Sequence, residues 1–303
     1  MKRLNDYIFG YGSPLTLGIY RAVIGFLSMV NVLFQWPFAE DWYGPNGFVP
    51  LRVIEQFHGD VYRWQPLNYV DSMAVTHIAF AIWLISSITT MLGYKTRIST
   101  IVLALTMVAF NHRNPMILNS GDTLLRQSLW ILAVAPCGNA FSLDRYFKFK
   151  KGEDLSQWVS LWPQRMVQWQ MAIVYGTTVW HKLTGTTWAA GTAAWFPTRL
   201  SEFHRFPFPE ALDAPPFTQF VTYYTLAIEV ALATLVFWRP ARKWVLIGGL
   251  LLHAMIEYRM NIPLFGFVMT AQYLSFIESN EWKNWRPWRK FAPPPERSQL
   301  EAA

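Results

Sequence analysis

Residues 14–36 read PLTLGIYRAVIGFLSMVNVLFQW, and Arg21 is the single charged side chain among these 23 residues. A helix rises about 1.5 Å per residue, so a run this long spans the roughly 30 Å hydrocarbon layer of a bilayer. Lys2 and Arg3 precede it, as they would a secretion signal. However, the apolar stretch from Leu15 to Phe38 is long and lacks an A-x-A-like exit, so it reads as a retained membrane helix. Seven further apolar runs follow, at Ser72–Leu92, Ile98–Phe110, Gly121–Cys137, Arg165–Leu183, Phe217–Trp238, Trp244–Glu257 and Ile262–Phe276. The third, seventh and eighth runs are short and read equally as partial helices. The expected fold is all-α: a polytopic integral membrane helical bundle of about eight helical segments.

Composition agrees. The chain is 52% hydrophobic and 15% charged, whereas soluble domains carry about a quarter charged residues. Its 16 Trp suit the membrane–water interface, where an apolar ring and a polar N–H are both satisfied. Cys137 is the single cysteine, which excludes an internal disulfide and a C-x-x-C redox pair. The net charge of +7 does not form one dense basic stripe, so no nucleic-acid partner is expected. Instead, the cations follow the gaps between runs. With the N-terminus inside, the inner gaps hold sixteen Lys and Arg: Lys2, Arg3, Lys95, Arg97, Arg145, Lys148, Lys150, Lys151, Arg239, Arg242, Lys243, Lys283, Arg286, Arg289, Lys290 and Arg297. The outer gaps hold six: Arg52, Arg63, Arg113, Arg199, Arg205 and Arg259. The first outer loop is acidic, with Glu40, Asp41, Glu55, Asp60 and Asp71. This bias predicts an even number of helices with both termini cytoplasmic. The expected domains are a cytoplasmic segment at 1–13, a transmembrane domain at 14–280 and a basic, Pro-rich cytoplasmic tail at 281–303. The end of that tail, APPPERSQLEAA, has no apolar face to bury and is expected to be disordered.

Charges at membrane depth cost several kcal/mol and need a partner or a task. Arg21 lies in the first run and Glu229 in the sixth, where both read as members of structural interhelical pairs. Asp122 and Arg126 stand i, i+4 and read either as an intrahelical ion pair or as pocket residues, and Asp122 also suits the N-terminal helix dipole. His253 and Glu257 share the same spacing, but no third ligand accompanies them and no metal site is predicted. Lys182 closes the segment QWQMAIVYGTTVWHKLTGTTW at 168–188. It is either a snorkelling cation or a desolvated base beside His181 and Trp188. No phosphate-binding loop, H-E-x-x-H or G-x-S-x-G pattern occurs.

These stretches together resemble the HTTM family, the transmembrane domain shared by vitamin K-dependent gamma-glutamyl carboxylase and many bacterial proteins. TTMLGYKTRIS at 89–99 is similar to the family's M-L-G-x-x-x-R-I-S element, and IYRAVIGFLSMVN at 19–31 resembles its R-x-x-x-G opening. DWYGPNGFVP at 41–50 resembles the first outer loop, and NHRNPMILNSGDTLLR at 111–126, with Asn119, the bacterial third signature. WHKLTGTTW at 180–188 is similar to K-K-L-D-x-x-W, and LLHAMIEYRMNIPLFGFVM at 251–269 to F-H-x-M-N-S-Q-L-F-S-I-G-M-F. The elements keep family order over roughly residues 14 to 280.

The resemblance implies a chemistry. In the carboxylase a lysine deprotonates reduced vitamin K, the oxygenated quinol removes a substrate Glu γ-proton, and carbon dioxide adds to the carbanion. Lys182 falls on that lysine and His253 on the family's late histidine. The implied catalytic residues are therefore Lys182, His181 and His253, supported by a polar pocket of Arg21, Asn119, Asp122, Arg126, Trp188 and Glu257. The implied cofactor is a reduced, vitamin K-like quinone, with no metal. The sequence departs from the carboxylase in having His181 before Lys182, in lacking a histidine near Asn119–Ser120–Gly121, and in ending soon after the last helix. The carboxylase's large lumenal domain is thus expected to be absent, and the compact SdpB-like members are the nearer likeness. The expected surroundings are the lipid bilayer of a bacterial inner membrane, with a secreted peptide or a thiol-redox membrane protein as partner. Two other readings stand beside the enzyme: a non-catalytic membrane protein assisting peptide maturation or export, and a small transporter with broken helices such as the one at Pro263.

Overall fold

The computed structural model describes residues 2–58, 64, 66–69, 72–153, 158–207, 209, 214–278 and 281–282. The expected tail beyond residue 282, with Asp60, Arg63 and Asp71 of the first loop, lies outside the described residues. The described chain is mainly helical, with one short ladder and an isolated antiparallel bridge between His204 and Met260. In order it runs α1 (Lys2–Phe9), β1 (Tyr11–Gly12), α2 (Leu15–Gln35), α3 (Ala39–Tyr43), α4 (Leu51–His58), α5 (Met73–Leu92), α6 (Thr96–Arg113), α7 (Ser120–Val134) and α8 (Leu143–Lys150). It continues with β2 (Val159–Ser160), α9 (Trp162–Leu183), α10 (Thr186–Ala189), α11 (Pro215–Ala233), α12 (Arg239–Arg259) and α13 (Phe265–Ala271). Antiparallel pairing of Tyr11 with Ser160 and Gly12 with Val159 joins β1 to β2.

Helix ends follow local chemistry. Pro163, Pro215 and Pro240 stand in the first turns of α9, α11 and α12, where a missing N–H costs nothing. Two runs that read as short are longer as helices, because polar ends extend them. α6 continues through Asn111 and His112 to Arg113, whose guanidinium donates to the Tyr43 carbonyl at 3.0 Å. α12 begins at Arg239 and closes at Arg259, well outside the apolar stretch that marks its middle. The last run is divided into the seven residues of α13 and a 3-10 turn at Gln272–Phe276.

α2, α5, α6 and α7 pack in succession as one half of the bundle, and α9, α11, α12 and α13 as the other. α13 closes against both α7 and α2, and α7 against α9. Phe80, Trp83 and Phe110 are fully buried in the first half, with Phe80 and Phe110 ring centroids 4.4 Å apart. Polar groups inside the bundle bond to one another: the Tyr20 hydroxyl lies 2.8 Å from Ser128 Oγ and 2.7 Å from Gln272 Oε1, joining α2, α7 and the last turn. Outward faces are apolar as well. Ile78, Ile82 and Ile85 form an exposed stripe on α5, Ile98, Ile101 and Leu105 on α6, and Leu250 and Leu251 an exposed patch on α12. Among the described residues, two helical stretches, Leu15–Tyr43 and Met73–Leu92, are long and apolar enough to cross a membrane by length and composition.

Arg21 and Gly25 of α2 both meet the end of α5. The Arg21 side chain is fully buried and donates to the carbonyls of Thr90 at 2.5 Å, Met91 at 3.2 Å, Gly18 at 3.3 Å and Phe141. Gly93 caps α5 with φ +69°, and a Cβ there would stand 2.3 Å from the guanidinium. A Cβ on Gly25 would stand 2.6 Å from the Met91 nitrogen. The R-x-x-x-G and M-L-G elements are therefore two sides of one joint.

Candidate functional site

A cavity of about 450 Å³ lies where α7, α9, α11, α12 and α13 converge. The segment after α9 supplies its remaining wall through Trp188, Ala193, Ala194, Pro197 and Thr198. That segment is tied down at several points. Ala194 N–H donates to Thr222 Oγ1 at 3.1 Å, and the Tyr223 hydroxyl to the Ala189 carbonyl at 3.0 Å, both on α11. Arg205 N–H donates to the Arg259 carbonyl at 3.2 Å and Asn261 N–H to the Phe203 carbonyl at 2.7 Å, fastening it to the end of α12.

The cavity walls are mostly aliphatic and aromatic, including Val174, Val221, Leu252, Ile256, Phe265 and Met269. Polar side chains interrupt them, Gln127, Thr225 and Arg259 among them, and two groups are bonded across helices. Lys182, on the last turn of α9, donates from Nζ to Glu229 Oε1 of α11. Thr178, one turn earlier, donates to Glu229 Oε2 at 3.4 Å. The ammonium lies 4.9 Å from the centroid of the Trp188 ring, where the ring quadrupole adds to the attraction of the carboxylate. With 22% and 9% of their side chains exposed, Lys182 and Glu229 form a partly buried ion pair on the cavity wall. The second group joins three helical segments. His253 Nε2 lies 2.7 Å from the Tyr175 hydroxyl, which lies 2.9 Å from the Tyr273 hydroxyl.

Of the sequence-derived candidates, Lys182, His253 and Trp188 line this cavity together. His181 is exposed on the other face of α9. Arg21 is at the α2–α5 joint and contributes no atom to the cavity wall. Asn119 and Asp122 form a capping box on α7: Asn119 Oδ1 accepts from the Gly121 and Asp122 nitrogens, and Asp122 Oδ2 accepts from the Asn119 N–H at 3.0 Å. Asp122 Oδ1 also accepts from Asn31 at 2.9 Å. Arg126 is half-buried one turn further along α7 and, like Asn119 and Asp122, does not line the cavity. The cavity takes Ser120, Thr123 and Gln127 from this helix instead.

Glu257 pairs with Arg205 at 2.5 Å and accepts the Gly266 N–H at 3.2 Å, which ties the start of α13 to α12. Among the described residues no three His, Cys, Asp or Glu side chains come together. Glu229 was visible in the sequence as a carboxylate in an apolar run, yet its partner is Lys182 and not Arg21. Tyr175 and Tyr273 gave no signal, because a tyrosine on an apolar helix is ordinary core.

The model of the HTTM domain matches residues 13–282. No curated protein and no solved structure matches the chain. With the domain match running through all the helices that build the cavity, the chain belongs to the HTTM-domain family.

Proposed function

We propose that this is a multi-pass protein of a bacterial inner membrane, with both termini cytoplasmic, and an enzyme of the vitamin K-dependent carboxylase-like kind that uses Lys182 as a general base. The exposed stripes of α5 and α6 and the apolar patch of α12 support the membrane reading, because water would penalise contiguous apolar surface at about 25 cal/mol per Å². The Lys and Arg bias supports the orientation, and on that orientation the cavity belongs to the outer half of the bundle. It is built from the C-terminal ends of α9 and α12 and the N-terminal ends of α7, α11 and α13.

The observation that carries the enzymatic reading is the Lys182–Glu229 pair on a mostly apolar wall. An ion pair holds the lysine protonated while water screens it. As an occupant expels that water, the neutral pair of amine and carboxylic acid becomes competitive, because desolvation penalises both charges. The Nζ–H proton then passes to Glu229, and the free amine takes a proton from an acidic O–H of the bound molecule. The pair ends as ammonium and carboxylic acid, and the proton gained is the one the substrate lost. The proposed cofactor is a reduced, vitamin K-like quinone. Phe265 and Trp188 suit its ring, and Lys182 and His253 supply polar partners for its oxygens. When bound it would supply an acidic hydroxyl and two reducing electrons. A secreted peptide or a small molecule is the proposed substrate, and a membrane or thiol-redox protein the proposed partner.

The test compares membranes carrying equal amounts of wild type and Lys182→Ala, each given a reduced naphthoquinone under oxygen. Wild type is expected to consume the quinol faster than empty membranes. Loss of the base is expected to remove that excess by about 10²- to 10⁴-fold. Equal rates in the two membranes would sink the lysine-base reading.

A further inference from the structure

Helix α8 reads LDRYFKFK and buries none of its residues. Local chemistry still fixes it in place. Ser142 Oγ caps its start by accepting the Arg145 N–H at 3.0 Å, and the Asp144 N–H donates to the Gly93 carbonyl at 2.9 Å. The Asp144 carboxylate is taken up by the start of α6, where it accepts the Lys95 and Thr96 N–H groups, each at 2.7 Å. The Tyr94 and Phe147 rings meet edge to face, with centroids 6.3 Å apart. The start of α6 and α8 are therefore one continuous surface.

That surface is both aromatic and cationic. Tyr146 and Phe149 stand i, i+3 on one helix face and are 49% and 78% exposed. Residues 94–98 and 143–153 carry six cations, Lys95, Arg97, Arg145, Lys148, Lys150 and Lys151, against the carboxylates of Asp144 and Glu153. Of the six, all but Arg145 are exposed. Lys150 Nζ lies 4.9 Å from the Tyr146 ring centroid, and Lys95 Nζ 5.8 Å from that of Tyr94. Water would strand the rings, and hydrocarbon would strand the ammonium groups. The headgroup layer of a bilayer satisfies both, because rings enter the acyl boundary while lysine stems reach back to the phosphates. A cation bias that served orientation alone would need no exposed rings among the lysines.

We propose that α8 and the start of α6 form an interfacial surface that binds the anionic phospholipids of the inner leaflet. Tyr146 and Phe149 enter the acyl boundary, and Lys148, Lys150 and Lys151 hold the phosphates. The partner is an anionic lipid and not any lipid, because surplus cations gain from a negative surface what a zwitterionic headgroup does not offer. This inference rests on the membrane reading and orientation proposed above and is independent of the Lys182 chemistry.

The experiment uses the full chain with a spin label at Phe149→Cys, in nanodiscs of phosphatidylcholine with or without phosphatidylglycerol. The apolar nitroxide stands in for the ring, and Cys137 is fully buried, which confines labelling to the new thiol. Collision rates are compared for oxygen, which concentrates in the bilayer, and for a neutral nickel chelate, which stays in water. The oxygen-to-nickel ratio is expected to be about threefold higher in the phosphatidylglycerol discs. Adding Lys148→Gln, Lys150→Gln and Lys151→Gln, all at exposed sites, is expected to remove that difference. Equal ratios in the two lipids overturn the inference, and so does a triple variant that behaves like its parent. A label facing water in both lipids also overturns it and points to an acidic protein as the partner. A chain that enters no nanodisc defeats the membrane reading together with this one. A chain that enters and shows no lipid preference defeats this one alone.

Discussion

At the residue scale, the Lys182–Glu229 pair sets a stability signature of its own. Removing one partner leaves the other as an uncompensated charge on an apolar wall, at about 3 kcal/mol. Lys182→Met and Glu229→Gln are each expected to lower the unfolding midpoint in detergent. The double variant Lys182→Met/Glu229→Gln is expected to recover part of the loss, since neither charge remains. Thermal unfolding of the four proteins measures this, and strictly additive losses would mean that the pair is not coupled. Lys182 and His253 were legible in the sequence because basic side chains are conspicuous in apolar runs and the family motifs pass through them. What they touch was not legible. Glu229 is 47 residues from Lys182, and only the packing of α9 on α11 chooses it as the partner. Arg21 was equally conspicuous and serves a different end, with backbone carbonyls taking the place of a carboxylate.

At the element scale, the helix ends carry the fold's specificity. Gly93→Ala meets two obstacles, a left-handed backbone and the guanidinium of Arg21. The backbone alone costs about 1–2 kcal/mol, so the variant is expected to unfold earlier than wild type in a thermal melt. Arg21→Leu is expected to be at least as damaging, because the carbonyls of Thr90, Met91 and Phe141 lose their donor. On α7, Asn119→Ala removes the side chain that accepts two backbone N–H groups. The expected loss is about 1 kcal/mol, and Asn119→Asp is expected to restore most of it. The apolar runs located the middles of the long helices. Their ends were harder to read, since His112 and Arg113 extend α6 and bond to the first loop at Trp64 and Tyr43.

At the scale of the whole molecule, the orientation is open to chemical mapping. Cys137 is fully buried, so an impermeant thiol reagent has little background with which to compete. Single cysteines at Lys148 and Glu202, both exposed, are expected to react from opposite sides of sealed vesicles. Labelling of both from one side would refute the proposed topology. The segment at 184–207 has a consequence of a different kind. It contributes to the cavity wall while Lys182 and Glu229 stand on helices, and it is fastened to α11 at Thr222 and to the end of α12 at Arg259. Such an arrangement behaves as an interchangeable sleeve. A change of bulk at Ala193, Ala194, Pro197 or Thr198 is expected to reshape the cavity while leaving the Lys182–Glu229 pair in place.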